Sequence, residues 1–396
     1  MKISVMYMGN INALNGASKV VKSFFDNEKE FGSNDIEMEN VYTPTMEKVN
    51  FRTNKSPSNS YKSIIKKALA KTMMGSIVSI YLQYFRNGRR SIKNYINHSN
   101  KTEDVLIFHD IFSCYIYYKK FNKNAKKSIL VLHTNGDTWK MIYEYFPSIK
   151  KPFFMKKLIE IEEFVCEKTN KIVFVSETSM ENFIERKSKY KNKTTYIYNG
   201  IEKLGNTNTI KKFDNLELIT VGTLNSRKAQ GLILEALKRI NDKTIKLSIV
   251  GDGEKREELL SYVKENNLID QVQFLGSRGD VVNLLNRHNV FIMSSKDEGL
   301  PISIIEAMRC KLPIIATDVG GIKELIQENG ILVKPNVESI TSALEQINKN
   351  KEILSSFSES SYSIFQSKFE VNKMVESYSN LVKEVYYEEY IERKVL

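Results

Sequence analysis

Short apolar runs recur down the chain with helix-forming stretches between them, and this alternation limits the fold more than any other feature. "KISVMYMG", "DVLIFHD", "SILVLHT" and "KIVFVSE" punctuate the first half, and "LELITVG", "KLSIVGDG", "VQFLG", "VFIMSS" and "LPIIATD" the second. The runs are rich in Val and Ile, and several precede periodic helix formers such as "GLILEALKRI" and "REELLSYVKEN". Near-continuous apolar strands separated by helices belong to parallel sheets covered on both faces. Two such series predict two α/β, doubly wound, Rossmann-like domains. The 396 residues agree, being too many for one ordinary domain.

The break between the series falls near "YIYNGIEKLGNTNTIKKFDN", residues 196–215, where an Asn-Gly turn enters a polar stretch. The expected domains are residues 1–199 and 200–371. A C-terminal helix over about 372–396, with Met374, Tyr378, Leu381, Val382 and Val385 at helical spacing, is expected to pack back on the first. Doubly wound sheets bind ligands at the carboxyl ends of their strands, so two such domains facing across a cleft would place the site in that cleft.

Charge is unevenly placed. The net charge is +12, and residues 51–100 hold ten cations and no Asp or Glu. "YKSIIKKALAKTMMGSIVSIYLQYFRNGRRSIKNYI" mixes those cations with apolar residues, which suits amphipathic helices on an anionic membrane surface or direct binding of an anionic acceptor. Nothing resembles a nucleic-acid-binding module, and no nucleic acid partner is expected. The opening "MKISVMYMGN" lacks the long apolar core of a signal peptide, and Met73–Phe85 falls short of the ~20 residues that cross a bilayer. A cytoplasmic protein, peripheral on the inner face of the cell membrane, is expected. Cys114, Cys166 and Cys310, and the four histidines, have no metal-ligand spacing, so neither metal nor cofactor is expected.

"IVGDGEKREEL" invites a dinucleotide reading, but Arg256 stands where the third glycine of GxGxxG belongs, and a tight strand-to-helix turn fits better. "SSKDEGLPISIIEAMRCKLPIIATDVGGIKEL", residues 294–325, carries more. A strand should end near Ser295 and a helix begin at Leu300–Ile302, with Pro301 in its first turn. The backbone N–H groups of Ile302, Ser303 and Ile304 would then face a phosphate. Glu298 and Glu306 flank that place. Carboxylates repel phosphate but accept hydrogen bonds from sugar hydroxyls; equally, Glu306 could cap the helix and Glu298 be a solvated loop acid.

Glu-x7-Glu within "DEGLPISIIEAM", followed by "PIIATDVGGIKELI", closely resembles retaining glycosyltransferases of family 4, which have the GT-B fold. The resemblance extends to "ITVGTLNSRKAQGLILEAL", "LSIVGDGEKREELL" and "VQFLGSRGDVVNLLNRHNVFIMSS", and more loosely to "LHT", "VFVSE" and "YNGI". It implies that Glu306 holds the ribose of a nucleotide sugar and that Glu298 takes hydroxyls of the transferred sugar. Gly299 and Leu300 would bring the backbone close, with the diphosphate on the N–H groups of Ile302 and Ser303. Lys228 would neutralise the leaving phosphates, and Arg227 would stand in for the arginine that family members carry where this chain has Thr223. Arg278 lies where the family lays the base, Gly16 where it has a glycine-rich turn facing the donor phosphates, and His133 near the reacting end of the sugar. His109 has a similar position with weaker support. The implied activity is hexose transfer from a nucleotide sugar, expected to be UDP-linked, to a glycan or lipid-linked glycan in surface polysaccharide synthesis. A non-catalytic subunit binding a glycan or a partner glycosyltransferase, and a sugar-nucleotide epimerase, are the alternatives.

Overall fold

Val, Ile, Leu and Phe predominate in the central strands because both faces of each sheet are covered. The structure, a computed structural model, describes residues 1–45, 72–205 and 213–395, the side chains of 389–395 excepted. The chain divides into one unit of Met1–Tyr198 with Asn372–Leu396 and a second of Asn199–Val371.

The first unit has strands β1 (Lys2–Met6), β2 (Glu37–Tyr42), β3 (Val105–Phe108), β4 (Lys127–Leu132), β5 (Lys171–Phe174) and β6 (Thr194–Tyr196). All pair in parallel in the order β2-β1-β3-β4-β5-β6, so the order reverses between β1 and β3. Its core is aromatic, with Phe108, Phe112, Tyr117, Phe174 and Phe183 enclosed among helices. The helix Val371–Val395 returns to this unit and buries Met374, Tyr378, Leu381, Val382 and Val385, the Tyr378 ring lying 4.7 Å from that of Phe24.

The second unit has β7 (Glu217–Val221), β8 (Lys246–Val250), β9 (Val272–Gly276), β10 (Val290–Met293), β11 (Ile314–Thr317) and β12 (Gly330–Val333). Their order is β12-β11-β10-β7-β8-β9, again all parallel, with the reversal between β7 and β10. Read from β7, this is the strand order of a dinucleotide-binding sheet, whose switch point opens a crevice at the strand ends. The core is aliphatic, built on Leu218, Leu234, Leu247, Ile249 and Ile292, and each such side chain contributes about 1.5–3 kcal/mol. Where the chain enters and leaves this unit, Ile201 N donates to Phe369 O and Val371 N to Ile201 O, both at 3.0 Å.

Of the basic segment 51–100, residues 51–71 lie outside the described residues. From Met73 the chain is helical to His98, with a widened turn through Tyr81–Phe85. Among the described residues no helix is long and apolar enough to cross a membrane.

Candidate functional site

In the second unit the loops leaving β7 and β10 are sewn together at the switch point. Asn225 starts the arrangement: its Oδ1 accepts from Lys228 N at 2.9 Å, a turn that Ala229 completes at φ 49°. Ser294, just past β10, donates its hydroxyl to Lys228 O at 3.1 Å and to Ala229 O at 2.9 Å. Lys296 N donates to Arg227 O, and Arg227 Nη1 to Asp297 O, both at 2.7 Å.

This stitching delivers two cations to one buried carboxylate. Glu298 Oε1 lies 2.6 Å from Lys228 Nζ and 3.0 Å from Arg227 Nη1. Glu298 is buried, and both cations keep only a small part of their surface in solvent. Burial alone would raise the Glu298 carboxyl, but Lys228 and Arg227 beside it hold it below the ordinary glutamate value. Glu298 is therefore an anion, and no solvated loop acid. Arg227 and Lys228, neighbours in sequence, reach the same oxygen from a loop that is bonded at both residues to the loop carrying Glu298.

The loop that carries Glu298 is fixed from three sides. Thr317 Oγ1 donates to Ser295 O at 2.5 Å, Gly321 N to Gly299 O at 3.0 Å, and Asn199 Nδ2 to Leu300 O at 3.4 Å. The helix that follows runs Ile302–Arg309, and no side chain caps its start. Pro301 is not in its first turn as expected but just before it, because its ψ of 113° is extended. Ile304 N, expected to face a ligand, instead donates to Pro301 O at 3.1 Å. Ile302 and Ser303 are left as the donors on offer at an N-terminus suited to an anion. Glu306 opens the second turn and is buried.

The "GDG" stretch serves this loop. A Cβ on Gly251, at φ +140°, would lie 1.9 Å from Gly222 O, and one on Gly253 would lie 2.2 Å from Leu224 O. The two glycines let the turn after β8 lie against the backbone of the β7 loop, to which Asp252 O is bonded by Leu224 N at 3.1 Å. Here the glycines serve packing of backbone on backbone. Arg278 is exposed and spends its guanidinium on Asp280 through two bonds of 2.8 Å, so its side chain is engaged beside the helix Val281–Arg287. Thr223 is exposed and brings no charge; its carbonyl accepts from Gln230 Nε2 at 3.2 Å.

In the first unit the named residues also sit at carboxyl ends of strands. Gly16 is the first residue of the helix Gly16–Asp26 that follows β1, capped by Asn15 Oδ1 on Ser18 N at 2.9 Å. His109 follows β3 and His133 follows β4, and His109 Nδ1 meets His133 Nε2 at 3.0 Å. Enclosure by neighbours brings His133 down to about 4 and, with His133 beside it, holds His109 well below the ordinary histidine value. Both are neutral at pH 7. Asp110 ties the loop after β1 to the end of β3, accepting from Met8 N at 2.8 Å and from Ser113 N at 2.6 Å, and burial lifts its carboxyl to about 6.

The sequence reading did not single out Asn199, Asn225, Ser294 or Thr317, which hold the site loops from behind. Asn199 lies in the quoted "YNGI" and Asn225 in "ITVGTLNSRKAQ", so motif position was the one signal available.

Residues 207–363 match the family described as glycosyl transferases group 1. The amylovoran biosynthesis glycosyltransferase AmsD of Erwinia amylovora is 29% identical over 178 residues, 43% of this chain and 51% of that protein. The O-antigen biosynthesis glycosyltransferase WbnH of Escherichia coli is 30% identical over 189 residues, 47% of this chain and 53% of that protein. The chain thus spans about half the length of these curated relatives. HepE of Anabaena, solved in complex with UDP, superposes with a TM-score of 0.68 at 16% identity, over 97% of this chain and 100% of that one. At that identity the likeness shows the fold, which is GT-B.

Proposed function

We propose, from the premise that residues 207–363 are a glycosyl transferases group 1 segment, that this chain moves a hexose from a nucleotide sugar, UDP-linked, to a glycan or lipid-linked glycan. The observation that carries the reading is the cluster of Lys228, Arg227 and Glu298 at the β7–β10 switch point, beside the uncapped start of the helix Ile302–Arg309. The names of its relatives support polysaccharide synthesis, and UDP in HepE supports the donor class.

In this reading the diphosphate rests on the N–H groups of Ile302 and Ser303, where the helix end favours an anion by about 0.3–1 kcal/mol, more when enclosed. As the bond from the anomeric carbon to phosphate oxygen breaks, negative charge grows on the departing diphosphate. Lys228 and Arg227 meet it as preorganised positive charge, the kind of stabilisation that lowers a barrier most. In this reading two cations and a helix end do at the diphosphate what a metal ion would otherwise do. Glu298 holds both cations in place and accepts hydrogen bonds from hydroxyls of the sugar, while Glu306 takes the ribose. The acceptor hydroxyl attacks the face from which diphosphate leaves: its oxygen bonds to the anomeric carbon, its proton passes to a departing phosphate oxygen, and configuration is retained. The first unit takes the acceptor.

The test is nucleoside diphosphate release from UDP-, GDP- and ADP-sugars, with and without membrane lipid extract, for wild type and Glu298→Gln. Release with one donor, falling by roughly 100-fold or more in the variant, is expected. Nucleotide binding with no release from any donor would instead make the chain a non-catalytic subunit.

A further inference from the structure

The helix Met73–Ile80 leaves large apolar side chains in solvent. It buries Gly75, Ser76, Ser79 and Ile80 and presents Met74, 68% exposed, and Val78, 51% exposed, to solvent. Tyr81 and Leu82, also exposed, extend the same face at i+7 and i+8 from Met74. The orientation is built in. Thr72 Oγ1 caps the helix on Gly75 N at 3.1 Å, Ser76 Oγ meets Ser148 Oγ at 2.6 Å, and Ser148 Oγ also donates to Thr72 O at 3.3 Å. Ile80 is buried in the core and Ile77 packs against it. Rotating the helix to hide Met74 and Val78 would break all of this. On either side of the turn that carries Ser148, Tyr145 and Phe153, the latter 66% exposed, also face solvent.

Cations rim this apolar face. Arg86, Arg89, Arg90 and Lys93 are exposed on the same continuous helix. Arg89 lies over the Tyr81 ring, 5.6 Å from its centre, and donates to the Tyr81 hydroxyl at 3.1 Å. Lys150 and Lys151, both exposed, precede Phe153. No Asp or Glu occurs anywhere from residue 51 to residue 100.

A two-fold contact between copies centred on Arg89 and Arg90 would set them near their own counterparts, which is repulsive, and Glu144, exposed beside Tyr145, is a single acid against several cations. A bilayer of anionic lipid presents what the face lacks: a hydrocarbon boundary for the Met, Val, Leu and Phe side chains, headgroup depth for Tyr, and phosphate for the cations.

We propose that this face of the first unit docks on an anionic phospholipid bilayer, seating Met74, Val78, Leu82 and Phe153 at the acyl boundary with Arg89 and Arg90 on lipid phosphates. The proposal is independent of the transferase reading, since binding to vesicles needs no sugar donor, and each can fail alone.

The experiment is sedimentation of the full chain with phosphatidylcholine vesicles, with or without phosphatidylglycerol at about one lipid in three. Two variants accompany it, Met74→Ser/Val78→Ser/Leu82→Ser and Arg89→Gln/Arg90→Gln. All five side chains are exposed, and circular dichroism checks that the fold is kept. Wild type should sediment with the anionic vesicles and stay in solution with the neutral ones. Each variant should lower the partition coefficient at least roughly tenfold, and added salt should weaken wild type more than the arginine variant's residual binding. Equal binding to both vesicle types would overturn the proposal, as would binding that both variants leave intact. A wild-type dimer in light scattering that the triple variant makes monomeric, with no vesicle binding, would make the face a protein interface.

Discussion

Replacing Lys228 by Met removes one of the two cations on Glu298 while keeping most of the volume of the side chain. Breaking a buried ion pair from one side costs about 3–5 kcal/mol, because a charge is left without its partner. Arg227 remains at 3.0 Å from the same oxygen, so the cost here should fall to about 2–3 kcal/mol. The second unit, residues 199–371, is of a size for which 1 kcal/mol moves Tm by about 2–4 °C, giving a drop of roughly 5–10 °C. Scanning calorimetry of the full chain reads it. Arg278→Gln is the control, since the Arg278–Asp280 pair has equally good geometry but stands in solvent and should show no change. The pH dependence has a definite sign. The folded Glu298 carboxyl lies below its unfolded value, so its stabilisation is complete above the unfolded value, near pH 4.3, and is lost as pH falls through the folded value. The gap between wild type and Lys228→Met must therefore narrow in acid. A shift no larger than that of Arg278→Gln, or a gap that widens in acid, would refute the reasoning.

Gly251→Ala would drive a methyl group into Gly222 O and force a left-handed φ; a loss of roughly 3 kcal/mol or more, seen as a lower Tm, is expected. Thr317→Val removes the hydroxyl that holds Ser295 O, leaving that buried carbonyl short of a bond; about 1–2 kcal/mol of stability should go, measured by urea unfolding. Ring-nitrogen NMR of 15N-histidine protein at pH 7 should show both His109 and His133 neutral, with one proton shared along the Nδ1–Nε2 contact, and His133 still neutral at pH 5.5. A His133 that protonates near pH 6.5 would contradict the enclosure.

Strands that stand between two others announced themselves in the sequence, and those at sheet edges did not. β2, "EMENVY", keeps Glu37 in solvent, and β6 is three residues long; they are the two edges of the first sheet. β12 is an edge of the second, and Leu332 within it is 36% exposed. An edge strand has one neighbour and less to bury, so it need not be a continuous apolar run. β9, the remaining edge, was legible all the same, as the short apolar run "VQFLG". At the site, the glutamate pair stood out because both lie on one strand–loop–helix passage. The convergence of Arg227 and Lys228 on one oxygen of Glu298 depends on bonds between the loops after β7 and β10, such as Arg227 Nη1 to Asp297 O, which no local stretch of sequence displays. The contact of His109 with His133 required knowing that β3 and β4 are neighbours in register. The availability of Ile304 N was misjudged for a local reason, the extended ψ of Pro301, which closes a turn onto that amide.

Calorimetric titration of UDP, GDP and ADP into wild type and Glu306→Ala tests the central claim most directly. The account predicts that one nucleoside diphosphate binds the wild type and that the variant binds it roughly tenfold more weakly, the loss of about 1.4 kcal/mol expected when a carboxylate no longer receives ribose hydroxyls. Equal affinity in the variant, or no binding of any of the three to wild type, would contradict it.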